Sequence, residues 1–287
     1  MRVTVKAPAK INLYLDVVSK RSDGYHDIKS IMHTVSLADI VTVENTSDGQ
    51  ITLTSNFPHV PTDEKNIAYK AAKKFFETAN ICHGAKIHIE KHIPVSSGLA
   101  GGSTDAAATL KGLNKIYNEP FSTQQLLELG ATLGADVPFC ILGGCAACEG
   151  LGEIMTPLPT INAKYVLVVR GGEGVSTPKA YGMIDEKYGE KVNCDHGSYD
   201  SVLTAVQTSD IGKLFTSAYN IFEEVILPIH STAKKQKDIL YDNGAEFCMM
   251  SGSGPAIFAF FKDNTSANSA ASAIRKFGAK AFICETI

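Results

Sequence analysis

The sequence has no apolar stretch long enough to cross a bilayer, and its start, Met1-Arg2-Val3-Thr4-Val5-Lys6, carries no apolar signal core. A soluble, cytoplasmic protein with no membrane partner is therefore expected. There is no long basic run either, and the formal net charge is −3. The electrostatic footprint of a nucleic-acid binder is missing, so nucleic acid is not expected as a partner. Seven cysteines are scattered at irregular spacing. An odd number without a secretion signal argues against a disulfide framework. Cys145-Ala146-Ala147-Cys148 has C-x-x-C spacing, but no second ligand pair stands at a suitable distance, so buried free thiols are expected rather than a zinc or redox centre. His88 and His92 lie four apart, yet Ile87 and Ile89 mark that stretch as strand, where the two do not share a helical face. No repeat, low-complexity tract or flexible linker interrupts the chain.

The 287 residues are 44% hydrophobic and 20% charged, enough for a sizeable core in one large or two ordinary domains. In Lys10-Ile11-Asn12-Leu13-Tyr14-Leu15-Asp16-Val17 apolar residues alternate with the rest, which predicts a strand. Lys10, Asn12, Tyr14 and Asp16 then share one face, and Ile11, Leu13, Leu15 and Val17 the other. A turn follows at Ser22-Asp23-Gly24. Residues 66–79 read as a helix with Ile67, Ala71 and Phe75 on one stripe, and 86–90 as a strand. A helix beginning near Ser103 carries Ala106, Ala107, Leu110, Leu113 and Tyr117 at helical spacing. A second has a capping box in Ser122 and Gln125, a hydrophobic staple in Phe121 and Leu126, and an expected end near Gly134. Pro138, just past Asp136, is expected to stop any continuation. From about Ile154 the pattern restarts: strands are expected over 165–169, 247–250, 256–261 and 279–285, and helices over 210–224, 231–243 and 265–277. The alternation gives an α+β reading with two domains, 1–155 and 156–287.

Pro94-Val95-Ser96-Ser97-Gly98-Leu99-Ala100-Gly101-Gly102-Ser103-Thr104 joins a strand to a helix. Glycine lets backbone approach a ligand, the hydroxyls add donors, and a helix start offers unpaired N–H groups to an anion. The loop fits nucleotide phosphates; a tight turn packing helix on strand is the plainer alternative. It is not the G-x-x-x-x-G-K-[ST] loop, because no Lys follows Gly102. Ser251-Gly252-Ser253-Gly254-Pro255, between two apolar segments, is either a hairpin turn or backbone that meets phosphate. Lys10 and Asp136 taken singly read as a solvated lysine and a turn carboxylate. Together they suit phosphoryl transfer: the Asp accepts or orients a hydroxyl proton, and the Lys stabilises the transferred group and holds Asp136 ionised.

With Ala7-Pro8-Ala9-Lys10-Ile11-Asn12-Leu13, Arg21-Ser22-Asp23-Gly24-Tyr25-His26, Gly134-Ala135-Asp136-Val137-Pro138-Phe139, Val175-Ser176-Thr177-Pro178 and the two glycine clusters, nearly the whole chain resembles the GHMP-superfamily kinases. The Lys-x-Asn start and the Asp-Gly-Tyr-His turn point within them to the branch that phosphorylates a CDP-linked methylerythritol for non-mevalonate isoprenoid synthesis. The resemblance implies a two-domain fold with the site in the interdomain cleft. The C-terminal domain would be ferredoxin-like, with or without its last strand shared with the first. Lys10 and Asp136 match the catalytic pair. Residues Pro94, Ser96, Ser97, Gly98, Leu99, Ala100, Gly101, Gly102, Ser103 and Thr104 would wrap the ATP phosphates, with Asn66 and Lys91 near adenine. Tyr25 would stack on cytosine, His26 hydrogen-bond it, and Tyr181 supply a second aromatic. Asn12 and Thr177 would approach the methylerythritol, with Gly252 and Ser253 also at the substrate. ATP and Mg2+ are the implied cofactors, without legible metal ligands, and the protein would be a monomer or homodimer. Ser96, Ser97 and Ala100 stand where relatives carry more glycine, which is expected to tighten the loop without loss of binding. The alternatives are a superfamily kinase for homoserine, mevalonate or a sugar, which has no use for Tyr25-His26, and a non-catalytic binding module, against which intact Lys10, Asp136 and loop argue.

Overall fold

The computed structural model describes residues 1–170, 172–189 and 197–287. The chain opens with two long strands, β1 (Arg2–Lys20) and β2 (His26–Thr46), which are neighbours joined by a short turn. Then follow β3 (Ile51–Ser55), α1 (Ile67–Ala79), β4 (Gly84–Glu90), α2 (Gly101–Ile116), α3 (Thr123–Ala131) and α4 (Val137–Leu142). Next come β5 (Cys145–Gly150), β6 (Ile154–Leu158), β7 (Val166–Arg170), α5 (Thr177–Tyr188), α6 (Tyr199–Gln207), α7 (Ile211–Ser217), β8 (Tyr219–Asn220) and α8 (Glu223–Ile226). The chain closes with α9 (Ser231–Asp242), β9 (Ala245–Met250), β10 (Ile257–Phe261), α10 (Asn264–Lys276) and β11 (Lys280–Cys284). Runs of strands and runs of helices are interleaved along the chain, in an α+β architecture. No helix among the described residues is long and apolar enough to cross a membrane.

Two compact units form, and neither is one continuous stretch of chain. The first comprises Met1–Ala9, Ala38–Val95 and Ala100–Gly143; the second Lys10–Leu37, Ser96–Leu99 and Gly144–Ile287. In the first, β4 pairs antiparallel with the end of β2 and parallel with β3. Val41, Val43, Ile87 and Ile89 from those strands pack with Ala71, Phe75, Leu110 and Leu113 from α1 and α2 to make its core. Asn66 caps α1, its amide oxygen accepting from the Ala68 N–H. The Ser122–Gln125 capping box starts α3 as its sequence predicts.

In the second unit, β5 pairs antiparallel with the start of β2 and with β6, and β8 runs parallel to β1. Its other sheet has the order β11–β7–β10–β9, antiparallel throughout. With α10 between β10 and β11, and helices between β7 and β9, this is a β-α-β-β-α-β arrangement. Ala267, Ala270 and Ile274 of α10 and Ala233 and Leu240 of α9 cover one face of it, against Leu167, Val169, Ile257 and Ala259.

Three expectations are corrected. The helix read over 210–224 is broken, because Tyr219 and Asn220 leave helical geometry to extend the sheet beside Tyr14 and Leu15. The end expected near Gly134 comes earlier, with Thr132 as the last half-helical residue of α3. Pro138 does not merely stop a helix. It sits in the first turn of α4, where its missing N–H costs nothing and its fixed φ suits the helix. Lys10, Asn12, Tyr14 and Asp16 of β1 are all buried.

Asn220 ties the second unit together. Its buried amide donates to the carbonyls of Met250 (2.7 Å) and Gly252 (2.9 Å) and accepts from the Phe222 N–H (3.0 Å). Asn220→Ala orphans three buried backbone groups, and denaturant unfolding should record a loss of about 3 kcal/mol; an unchanged midpoint would contradict this role.

Candidate active site

In the second unit, Lys10 stands on β1 with its Nζ 2.7 Å from Asn12 Oδ1, and the residue is only 4% exposed. Asn12 is itself fixed, since its Nδ2 donates to Ser30 Oγ at 2.9 Å and Ser30 Oγ to the Tyr14 carbonyl at 2.7 Å. The Gly252 N–H donates to the same Asn12 Oδ1 at 3.0 Å. Among the described residues of this unit no carboxylate pairs with Lys10. A buried ammonium whose side-chain acceptor is a neutral amide is under-compensated, and such a charge favours an anion beside it.

The Ser251–Pro255 cluster is the connection between β9 and β10, closed by Ser251 N–H to Ala256 O (2.9 Å) and Gly254 N–H to Ser251 O (3.0 Å), with a cis Gly254–Pro255 bond. It lies against residues 96–99. Ser251 Oγ donates to the Gly98 carbonyl (3.0 Å), and the Ala256 N–H to the Ser97 carbonyl (3.1 Å). At Gly98 (φ +79°) a Cβ would fall 2.1 Å from the Ser251 carbonyl oxygen, so the approach requires glycine. A Cβ on Gly252 would lie 3.6 Å from Lys10 Nζ. The turn reading of this cluster is the one the backbone shows: it is the connection between β9 and β10. Thr177, the first residue of α5, meets Ser253 hydroxyl to hydroxyl at 3.2 Å. Lys10, Asn12, Gly98, Gly252, Ser253 and Thr177 thus belong to one set of linked groups, although the Asn12–Gly252 bond spans 240 residues of sequence.

The other expected base-site residues also lie in this unit. Tyr25 is 64% exposed at the β1–β2 turn. His26 is buried, its Nε2 2.7 Å from Asp185 Oδ1, and its ring stacks on Tyr181 at 4.7 Å between centroids. Asp185, which sequence reasoning missed, is one helical turn beyond Tyr181, a spacing that was there to be read.

In the first unit, α2 begins after Ala100, which takes a left-handed conformation (φ +57°) and makes no side-chain cap. The first-turn N–H groups at Gly101, Gly102 and Ser103 are those a helix leaves for an anion. The Thr104 hydroxyl is committed to the Pro8 carbonyl at 2.8 Å, and the side chain of Leu99, a residue of the second unit, is buried. Asp136 caps α4 without a side-chain capping bond, which leaves its carboxylate available. Asn66 is occupied locally, its Nδ2 donating to Pro61 O at 2.7 Å. The Lys91 ammonium is buried between Asp39 and Asp105, 2.7 Å from Asp105 Oδ2, while Asp39 Oδ1 accepts from the N–H groups of His92 (2.6 Å) and Ile93 (2.8 Å). Sequence reasoning missed both aspartates. Asp105 directly follows the quoted loop-to-helix run; Asp39 carries no local signal. Among the described residues no group of three or more His, Cys, Asp or Glu is placed to hold a metal ion.

Two family models match the chain: GHMP kinases N terminal domain at residues 66–144, and GHMP kinases C terminal at residues 202–280. A Clostridium botulinum protein named 4-diphosphocytidyl-2-C-methyl-D-erythritol kinase is 46% identical over 286 residues, 99% of each chain. One of the same name from Clostridium perfringens is 44% identical over 93% of this chain and 91% of its own. A crystal structure titled 4-(cytidine 5'-diphospho)-2C-methyl-D-erythritol kinase superposes with a TM-score of 0.82 at 31% identity, covering 99% of both chains.

Burial pushes the Asp105 carboxyl up to about 8, with Asp39 adding to the rise and Lys91 opposing it. The fold therefore favours neutral Asp105. The stability it contributes is fully present below the unfolded value of 3.8 and is lost as pH rises through about 8. Urea unfolding across that range should show the wild type losing stability relative to Asp105→Asn, then running parallel to it at higher pH. Parallel profiles throughout would contradict a buried neutral carboxyl.

Proposed function

Since the chain belongs to the GHMP kinases, in the branch of the 4-diphosphocytidyl-2-C-methyl-D-erythritol kinases, we propose that it transfers the γ-phosphoryl group of ATP to the 2-hydroxyl of 4-diphosphocytidyl-2-C-methyl-D-erythritol in non-mevalonate isoprenoid synthesis. The observation that carries this reading is the Lys10 ammonium, buried beside Asn12 and Gly252 with a neutral amide oxygen as its acceptor. A charge so placed stabilises a transferred phosphoryl group that arrives with its own negative charge.

Asp136 takes the proton of the substrate hydroxyl as its oxygen forms the new bond to phosphorus and the bond to ADP breaks. Lys10 offsets the charge on the transferred group. Pro94 and residues 96–104 cradle the ATP phosphates through backbone N–H groups, with Asn66 and Lys91 near adenine. For Lys91 that contact falls to backbone and stem, its ammonium being held by Asp39 and Asp105. Tyr25, His26 and Tyr181 form the cytosine site, and Asn12, Thr177, Gly252 and Ser253 approach the erythritol. Mg2+ fits this chemistry as a charge carried on the nucleotide phosphates, a mode in which the protein supplies few ligands. The acidic residues near the loop do not make a cation site by themselves, since Lys91 occupies them, and no metal ligand is assigned. We further propose a cytoplasmic protein, monomeric or homodimeric.

Purified protein with MgATP and the CDP-linked methylerythritol should release ADP, while homoserine and mevalonate should not stimulate release. Asp136→Asn should lower kcat by about a hundredfold or more. No turnover by folded protein on authentic substrate would overturn the reading, and a near-normal kcat in the variant would remove Asp136 from the chemistry.

A further inference from the structure

His26 is held on two sides by one helix. The Tyr181 ring stacks on its imidazole at 4.7 Å with 21° between planes, and Phe222 packs edge-on against Tyr181 at 5.0 Å, steadying the stack. Asp185, four residues along α5, places Oδ1 2.7 Å from His26 Nε2. Its other oxygen accepts from Lys20 Nζ at 2.7 Å. Partial burial alone would raise the Asp185 carboxyl; the hydrogen bonds from Lys20 and His26 outweigh it and hold the group below the usual carboxylate range. Asp185 is therefore ionised near neutral pH.

An ionised carboxylate only accepts hydrogen bonds, so the ring nitrogen facing it must carry the hydrogen. With the proton on Nε2, the Nδ1 of a neutral imidazole is left as an acceptor. Among the described residues His26 Nδ1 makes no hydrogen bond, whereas Nε2 is committed. The two pyrimidines differ in this respect. Cytosine presents an amino donor at its 4-position, where uracil presents a carbonyl acceptor. An acceptor nitrogen pairs with the first and is left facing a second acceptor by the other. A buried group denied its partner is how a polar site rejects a near-isostere.

We propose that Asp185 is a positioning residue that fixes His26 as the Nε2–H tautomer, and that the base site thereby selects cytosine over uracil. The inference rests on the reading that His26 meets the base, and it adds the residue that decides which base is accepted. Lys20 takes part by sharing the carboxylate charge, which keeps Asp185 an acceptor without leaving it as a lone charge beside the ring.

Two measurements test this, one independent of turnover. In long-range proton–nitrogen NMR of protein labelled with 15N-histidine, taken above the histidine titration range, His26 should show the Nε2–H tautomer, and Asp185→Leu should lose that single signature. Calorimetry should find cytidine 5'-diphosphate binding at least about tenfold tighter than uridine 5'-diphosphate, with the ratio collapsing in the variant. With the CDP-linked substrate the variant should show a raised KM and a kcat close to wild type, and Asp185→Glu should recover part of the preference. If the leucine variant does not fold, Asp185→Asn carries the same test, because its amide can donate as well as accept. An Nδ1–H tautomer in the wild type, or an unchanged cytidine preference in a folded variant, overturns the inference while leaving the kinase reading intact. Failure of both nucleotides to bind the wild type overturns the cytidine reading and the inference with it.

Discussion

The buried ammonium of Lys10 and the amide oxygen of Asn12 form the contact around which the second unit's linked polar groups gather. Asn12 Oδ1 receives Lys10 Nζ at 2.7 Å and the Gly252 N–H at 3.0 Å, so one neutral acceptor fixes both a charge and a glycine turn. A carboxylate in the same place would cancel the lysine's charge; an amide orients it and leaves it uncompensated. Much of the surrounding chemistry serves that arrangement. Ser30 locks the Asn12 amide, Asn220 holds the Met250 and Gly252 carbonyls, and Gly98 lets residues 96–99 come against Ser251 without a clash.

Lys91 shows the contrasting use of the same side chain. It too is buried, but between Asp39 and Asp105, with Asp39 also gathering the N–H groups of His92 and Ile93. Its charge is spent on joining β2, the end of β4 and the start of α2. Among the described residues Asp105 Oδ1 is buried without a hydrogen-bond partner, and that burial is what raises its carboxyl. One lysine thus fixes the segment that leads into the glycine-rich loop, and the other has a neutral amide as its side-chain acceptor.

Where the signal is local, the sequence was readable. The Ser122–Gln125 capping box, the alternation in β1 and the small apolar residues of α2 and α10 each depend on neighbours a few positions away, and each formed as expected. Where the determinant is distant, the reading went astray. Tyr219 and Asn220 sit in a helical pattern but are drawn into a strand by β1, some two hundred positions earlier. The groups that satisfy Asn12 and Tyr14 of β1, namely Ser30, Gly197 and Gly252, lie outside the strand and carry no local signal. Motif residues such as Lys10, His26 and Asp136 stood out by type and context. The partners of other motif residues, Ser30 for Asn12, Asp39 for Lys91 and Asn220 for Gly252, are ordinary residues in ordinary segments, and contact alone identifies them.

The most direct test is the kcat of Lys10→Met, a change that keeps the stem and removes the charge, measured with MgATP and the CDP-linked methylerythritol. A fall of about a hundredfold or more, with cytidine nucleotide affinity close to wild type, is the expected result. A kcat within a few-fold of wild type would mean that the buried ammonium does not serve the transferred phosphoryl group.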